Sequence, residues 1–142
     1  MSDPILKVSD LSTVFTTRSG VARAVDKVSF ELRAGETLCI VGESGCGKSI
    51  TALSVAGLVP YPGEVTSGEV LLGGVDLRRM TPAEKSDIRG NRLSMIFQDP
   101  SSSLNPVHTV GRQIAEVYQL HKGMNAREAE AAATRLLAAV GI

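Results

Sequence analysis

One stretch, Gly42-Glu43-Ser44-Gly45-Cys46-Gly47-Lys48-Ser49, limits what this chain can fold into more than any other feature. It follows a continuous apolar run, Thr37 to Val41, and it opens Lys48 to Leu58, where Ala52, Val55 and Ala56 recur at helical spacing. An unbroken apolar run suits a strand buried on both faces, as in a parallel sheet. Glycines at 42, 45 and 47 allow a reversal that residues bearing a Cβ resist. The stretch therefore predicts strand, tight loop and helix in that order, within an α/β architecture.

The residue types also dictate a chemistry. The pattern is G-x-x-x-x-G-K-S, and its glycines let the backbone come close to an anion. Successive amides from about Gly45 to Ser49 then form a nest for a phosphate, to which the helix beginning near Lys48 adds its positive end. The Lys48 ammonium supplies a point charge, and the Ser49 hydroxyl can complete a Mg²⁺ shell made otherwise of phosphate oxygens and water. The candidate phosphate-binding residues are Gly42, Ser44, Gly45, Cys46, Gly47, Lys48 and Ser49. A chance glycine-rich turn could show the same letters, but the strand before it and the helix after it supply the context the motif needs. Cys46 reads as a small side chain tolerated in the loop, with its amide facing phosphate, rather than as a redox or catalytic thiol.

The rest of the chain places this loop among strands and helices. Ile5 to Val8 opens a strand. Val25 to Leu32 alternates, with Val28, Phe30 and Leu32 on one face and Lys27, Ser29 and Glu31 on the other. Glu69 to Leu72 is a short strand turned at Gly73-Gly74, and Arg92 to Phe97 returns to strand. Thr81-Pro82-Ala83-Glu84 has the form of a capping box with proline at the first helical position. Beyond Gln98 the chain becomes turn-rich and then helical. Val110, Ile114, Val117 and Leu120 form one apolar stripe. Ala129, Ala132, Ala133, Leu136, Leu137 and Val140 form a second, behind an Asn125/Glu128 capping box.

Bulk properties exclude several classes. The net charge of zero gives no electrostatic case for nucleic acid. No apolar run approaches the ~18 residues of a membrane span, so a membrane role would come through a partner. Cys39 and Cys46 do not make a disulfide framework, which favours a reducing cytosol. His108 and His121 stand apart with no cysteine nearby and read as surface or core residues rather than metal ligands.

Ser94-Met95-Ile96-Phe97-Gln98-Asp99-Pro100 separates this chain from other phosphate-loop proteins, because here it resembles the ABC transporter ATPases. Gln98 matches their Q-loop glutamine, which implies contact with Mg²⁺ and the attacking water, beside a catalytic role for Lys48. Phe15 matches the aromatic A-loop residue that stacks on adenine, and Ala24-Val25 is familiar in the same family, which adds Phe15, Val25 and Gln98 to the ATP-binding set. Ile40 to Ser49 and Met95 to Val107, with Gln113, Glu116 and Leu120 to Met124, are most similar to the oligopeptide, dipeptide and nickel importer subunits. Serine at 101 to 103 departs mildly from that group.

The resemblance implies an ABC-type core with an N-terminal antiparallel β region over residues 1–36. A phosphate-loop core follows over 37–98, then the start of a helical subdomain over 99–142, with an incomplete sheet. It implies ATP and Mg²⁺ as ligands, and ATP hydrolysis that drives peptide import from the cytoplasmic face of the membrane. The implied partners are transmembrane permease subunits, a second ATP-binding subunit and, indirectly, a solute-binding protein, with Asp99 to Val107 and the helix after it as the docking surface. The Walker B strand, the signature and the switch histidine do not follow Gly141-Ile142, so the chain is expected to be an N-terminal piece, weak or inactive in hydrolysis and marginal in stability. Two rival functions remain: a nucleotide-binding module without turnover, and an ABC-type phosphate-loop ATPase with no membrane partner.

Overall fold

The computed structural model describes residues 3–99 and 103–142. Expectations that touch residues 1–2 or 100–102, the centre of the Asp99 to Val107 stretch among them, lie outside the described residues. The chain divides into two compact units, one running to Lys85 and one from Ser86 to Ile142.

The first unit is built on a long antiparallel hairpin, β1 (Leu6–Thr17) and β2 (Gly20–Leu32). Helix α1 (Lys48–Ala56) follows, then β3 (Gly63–Leu72) and the two-residue β4 (Val75–Asp76). Hydrogen bonding sets the sheet order β2-β1-β3-β4, antiparallel throughout. The β3–β4 reversal uses Gly73 and Gly74 at φ 57° and 81°, the left-handed pair that a two-residue hairpin needs. Val28, Phe30 and Leu32 are half-buried while Lys27, Ser29 and Glu31 are exposed, as alternation predicts.

The strands run well past the limits that alternation predicts, because bulges interrupt the two-residue period. Asp10 in β1 and Lys27 in β2 take positive φ, 47° and 48°, where the pairing register shifts. Each bulge is satisfied from the other strand. Asp10 N–H donates to Ser29 Oγ at 2.8 Å, and Lys27 N–H donates to Ser12 Oγ at 3.0 Å. Val25 and Val28, three apart, therefore both turn inward. Strand β3 follows the first bulge closely enough that a Cβ on Gly68 would lie 2.5 Å from Leu11 Cα and 2.6 Å from the Asp10 carbonyl oxygen. The core collects Val8, Leu11, Val25, Val55, Ala56, Val70, Leu72 and Leu77. Beyond β4, Arg78 donates to the carbonyls of Gly68 and Val65 and so covers part of the free edge of β3.

Two predicted strands are absent. Thr37 to Val41 and Arg92 to Phe97 are assigned to no described strand; the latter makes only an isolated bridge, Arg89 to Leu93. Both runs are open to solvent, with Val41 86% and Ile96 91% exposed. Apolar sequence suits a strand, but a strand exists only when a neighbour accepts and donates its backbone hydrogen bonds. No described strand does so for either run, and the α/β sheet is incomplete as expected.

Helix α2 (Pro82–Ile88) crosses the boundary between the units in sequence. Its capping box forms: Glu84 accepts from Thr81 N at 2.7 Å and from Thr81 Oγ1 at 2.8 Å, and these bonds hold its carboxyl below the ordinary carboxylate range. In the second unit, α3 (Val110–Lys122) and α4 (Ala126–Ala139) make a helical hairpin. The Asn125/Glu128 box is complete. Ala115 packs against Ala129 and Ala133, flanked by Ile114, Tyr118 and Met124. Ala129, Ala132 and Ala133 are buried as the second stripe predicts, and large apolar positions of both stripes are corrected. Val110, Val117 and Leu120 face solvent, as do Leu136 and Val140, because small alanines let the helices meet on a neighbouring face.

Helix α1 is fixed to the sheet by a buried hydroxyl pair. Ser54 Oγ donates to the Ile50 carbonyl at 2.6 Å, so Thr13 Oγ1 donates to Ser54 Oγ, 2.7 Å away, from a residue 0% exposed. Ser54→Ala is expected to cost about 1–3 kcal/mol, by leaving the Thr13 hydroxyl buried and unpaired. Chemical denaturation measures this, and the double variant Thr13→Val/Ser54→Ala is expected to recover most of the loss. Equal stability of Ser54→Ala and the unchanged chain would contradict the pairing.

Candidate functional site

The Gly42–Ser49 stretch is a curled loop that opens directly into α1. Gly45 and Gly47 take φ 82° and 96°, left-handed conformations that side chains with a Cβ rarely adopt. Cys46 N–H turns back to the Glu43 carbonyl at 3.4 Å, and Cys46 Sγ lies where a Cβ on Gly42 would be, 2.6 Å away. The alternation of left-handed glycines with ordinary residues is the backbone arrangement that turns successive N–H groups toward one side.

The Lys48 ammonium closes the loop on itself. It donates to the Gly42 and Glu43 carbonyls at 2.8 and 2.7 Å and lies 3.6 Å from Cys46 Sγ. Ser49 is exposed at the second helical position, and Ser44 is exposed within the loop. Gly47 occupies the N-cap of α1 with no side-chain cap, and the first turn carries no acidic residue. The free N–H groups and the positive end of the helix dipole are thus left to whatever anion the loop receives. A triphosphate with its cation fits these residues: the amides and Lys48 would hold phosphate oxygens, and Ser49 would reach a Mg²⁺ bound to them.

Three contacts that sequence reading misses position the loop. A Cβ on Gly47 would collide with the carbonyl oxygen of Ala24, so the loop is seated against the backbone of β2. Thr51 is buried and bonds the Gly47 carbonyl through both N–H and Oγ1, at 2.8 and 3.0 Å. Ser54 joins Thr13 as described. The sequence points to Ala52, Val55 and Ala56 as the packed face, but Ala52 is exposed and Thr51 and Ser54 are buried. The signal lay in Thr51 and Ser54 themselves, hydroxyl residues that can bond the carbonyl four residues back and so enter a packed face.

The other candidate residues are placed as follows. Val25, 3% exposed, belongs to the core, and the backbone of its neighbour Ala24 is what meets the loop. Phe15 lies within β1 rather than in a free loop. It pairs with Ala22 and Gly63, and its ring covers Gly63, where a Cβ would be 2.6 Å from ring Cε1 and from Val59 Cγ1. Gln98 is exposed in the second unit, on a segment with no regular structure. Gln113, marked only by resemblance, anchors the turn before α3: its Oε1 accepts from Asn105 N at 2.9 Å, and its Nε2 donates to the Asn105 and His108 carbonyls at 3.1 and 3.0 Å. Beside the loop, a cleft of about 330 Å³ runs between Val28 and Phe30 of β2 and the exposed Leu38 to Val41.

Comparison with known proteins bears on this arrangement. A family model described as ABC transporter matches residues 25–142. A probable peptide ABC transporter ATP-binding protein of Sinorhizobium fredii is 47% identical over 142 residues, covering 99% of this chain and 42% of that protein. A dipeptide transport ATP-binding protein of Bacillus subtilis is also 47% identical, again over 99% of this chain and 42% of its own length. The chain thus spans less than half the length of these relatives. Among solved structures, a dimeric ATP-binding cassette in a post-hydrolysis state, bound to ADP and Pi, superposes with a TM-score of 0.78 at 22% identity, over 93% of this chain and 55% of that one. At that identity the likeness is one of fold.

Cys46 provides a direct probe of the loop, being exposed and set against Gly42 and the Lys48 ammonium. Alkylation of Cys46 by a maleimide is expected to slow when Mg²⁺-nucleotide is added, while labelling of the exposed Cys39 changes little. Mass spectrometry of the two peptides reads both rates. Equal slowing at both cysteines, or at neither, would contradict occupancy of the loop.

Proposed function

The chain belongs to the ABC transporter family, and from that premise we propose that it is the nucleotide-binding front part of an ATP-binding subunit that powers peptide uptake. One observation carries the reading: a left-handed glycine loop, with an ammonium at its centre, opens an uncapped helix that is anchored to the sheet. The peptide and dipeptide transport for which the two relatives are named supports the substrate class.

Each residue has a part in this reading. Lys48 exchanges its bonds to the Gly42 and Glu43 carbonyls for phosphate oxygens, so the loop opens only as an anion enters. The amides of residues 45–49 bind the phosphates, and Ser49 orients the cation. Phe15, fixed by Gly63 and Val59, offers a ring face to a base. Val25 supports the loop from the core, and Gln98 orients water at the far end of the phosphates. ATP with Mg²⁺ supplies the charge and the leaving group of a hydrolysis, and the chain's own groups bind and orient.

The subdivision into an antiparallel region to residue 36, a phosphate-loop core to 98 and the start of a helical subdomain after it belongs to the same proposal. The partners are a second ATP-binding subunit and transmembrane permease subunits, with a solute-binding protein acting at one remove. The place proposed for the chain is peripheral, on the cytoplasmic face of the membrane; among the described residues no helix is long and apolar enough to cross one. Leu104 and Val107, exposed in the turn before α3, supply apolar contacts for a permease.

The 142-residue chain is expected to bind Mg²⁺-ATP with little turnover. Removing a charge-assisted bond costs about 2 kcal/mol, so Lys48→Ala is expected to weaken binding roughly 30-fold. Titration with a fluorescent ATP analogue, alongside a phosphate-release assay on the same sample, measures both. Unchanged affinity in Lys48→Ala would sink the reading. Robust turnover that disappears in Lys48→Ala would instead overturn only the inactivity of this chain by itself.

A further inference from the structure

The segment that carries Gln98 follows a turn that lies against the helical hairpin. After α2 the chain makes a compact turn in which the Ile88 carbonyl accepts from Asn91, Arg92 and Leu93 N–H at 3.3, 2.8 and 3.1 Å, and Gly90 N–H donates to the Leu93 carbonyl at 3.0 Å. Gly90 stands in this turn at φ 80°. His121, in the last turn of α3, lies directly on it: a Cβ on Gly90 would be 2.9 Å from His121 Nε2 and 3.5 Å from its Cδ2. The next residue repeats the attachment, with Lys122 Nζ 3.5 Å from Asn91 Oδ1. Backbone angle and imidazole together leave room only for glycine at position 90.

Both ends of this linkage are firm. Helix α3 is capped at its start by Thr109, which accepts from Arg112 N, and at its end by Gly123, whose N–H reaches the Tyr118 carbonyl. The Ile88–Leu93 turn is closed by its own hydrogen bonds. Between Leu93 and Gln98 the chain belongs to no strand, so the turn and the helix behind it set where that segment starts.

We propose that His121 is a positioning residue for Gln98: it locks the Ile88–Leu93 turn to the end of α3, so that movement of the hairpin is carried along the segment to Gln98. Lys122 assists by holding Asn91. The inference rests on the ATP reading above for its consequence, coupling of hairpin movement to hydrolysis, but the lock itself is a property of the second unit.

Two measurements test it. Hydrogen–deuterium exchange on the full chain compares the parent sequence with His121→Ala and His121→Gln, the latter placing an amide near the position of Nε2. His121→Ala is expected to speed exchange of residues 88–98 roughly tenfold while the interior amides of α3 and α4 keep their protection. In the longer ATP-binding subunit, the same change is expected to lower kcat roughly 10-fold or more, with KM and nucleotide affinity little changed. His121→Gln should restore most of both. Unchanged exchange at 88–98 overturns the lock, and so does equal loss of protection throughout α3 and α4, which would make His121 an ordinary packing residue. Faster exchange with unchanged kcat overturns its positioning role. Failure of the ATP reading shows separately, as nucleotide affinity that is insensitive to Lys48→Ala.

Discussion

The loop is only as well placed as the helix it opens, and that helix is held to the antiparallel sheet at two points. At its start, Gly47 sits so close to the Ala24 carbonyl that no side chain fits between them. About two turns later, Ser54 receives the Thr13 hydroxyl inside the core. Both contacts are short-range and directional, so a small slip of α1 breaks them. Thr51 connects them, since it bonds back to Gly47 from a buried position. The amides at the helix start stay free because no side chain caps them, while the rest of the helix is fixed.

The sheet that bears this helix depends on irregularity. Two bulges let β1 and β2 turn apolar residues inward at spacings of three, and a serine from the opposite strand takes up the N–H at each bulge. Gly68 lets β3 follow the distorted β1 at close range. Bulges raise the local twist and re-aim side chains. Val25 is buried here beside the carbonyl that seats the loop, so a distortion of the sheet and the placement of the site share the same few residues.

The loop was legible because its chemistry is local. Glycine tolerance of left-handed angles and the order strand-side run, loop, helix are written in consecutive residues, and Gly45, Gly47 and Lys48 stand as that pattern requires. The capping boxes at Thr81/Glu84 and Asn125/Glu128 were legible for the same reason, each closing over three residues. Thr13, Ala24 and Ser54 were not, since their roles join residues far apart in the chain. The α4 stripe was legible at Ala129, Ala132 and Ala133, but α3 was misread, because counting large apolar residues favoured Val117 and Leu120, whereas close approach of two helices selected the small Ala115.

The amino-acid order alone determined the phosphate-loop class, the alternating face of β2, the turns at Gly73-Gly74 and the helix starts. Each depends on torsional freedom or hydrogen bonds within a few residues. Tertiary structure decided which apolar runs became strands and which faces became core. Leu38 to Val41 and Leu93 to Phe97 have apolar sequence suited to a strand, yet they remain outside the sheet. A strand is a property of two chains side by side, and its backbone hydrogen bonds cannot be supplied by its own residues.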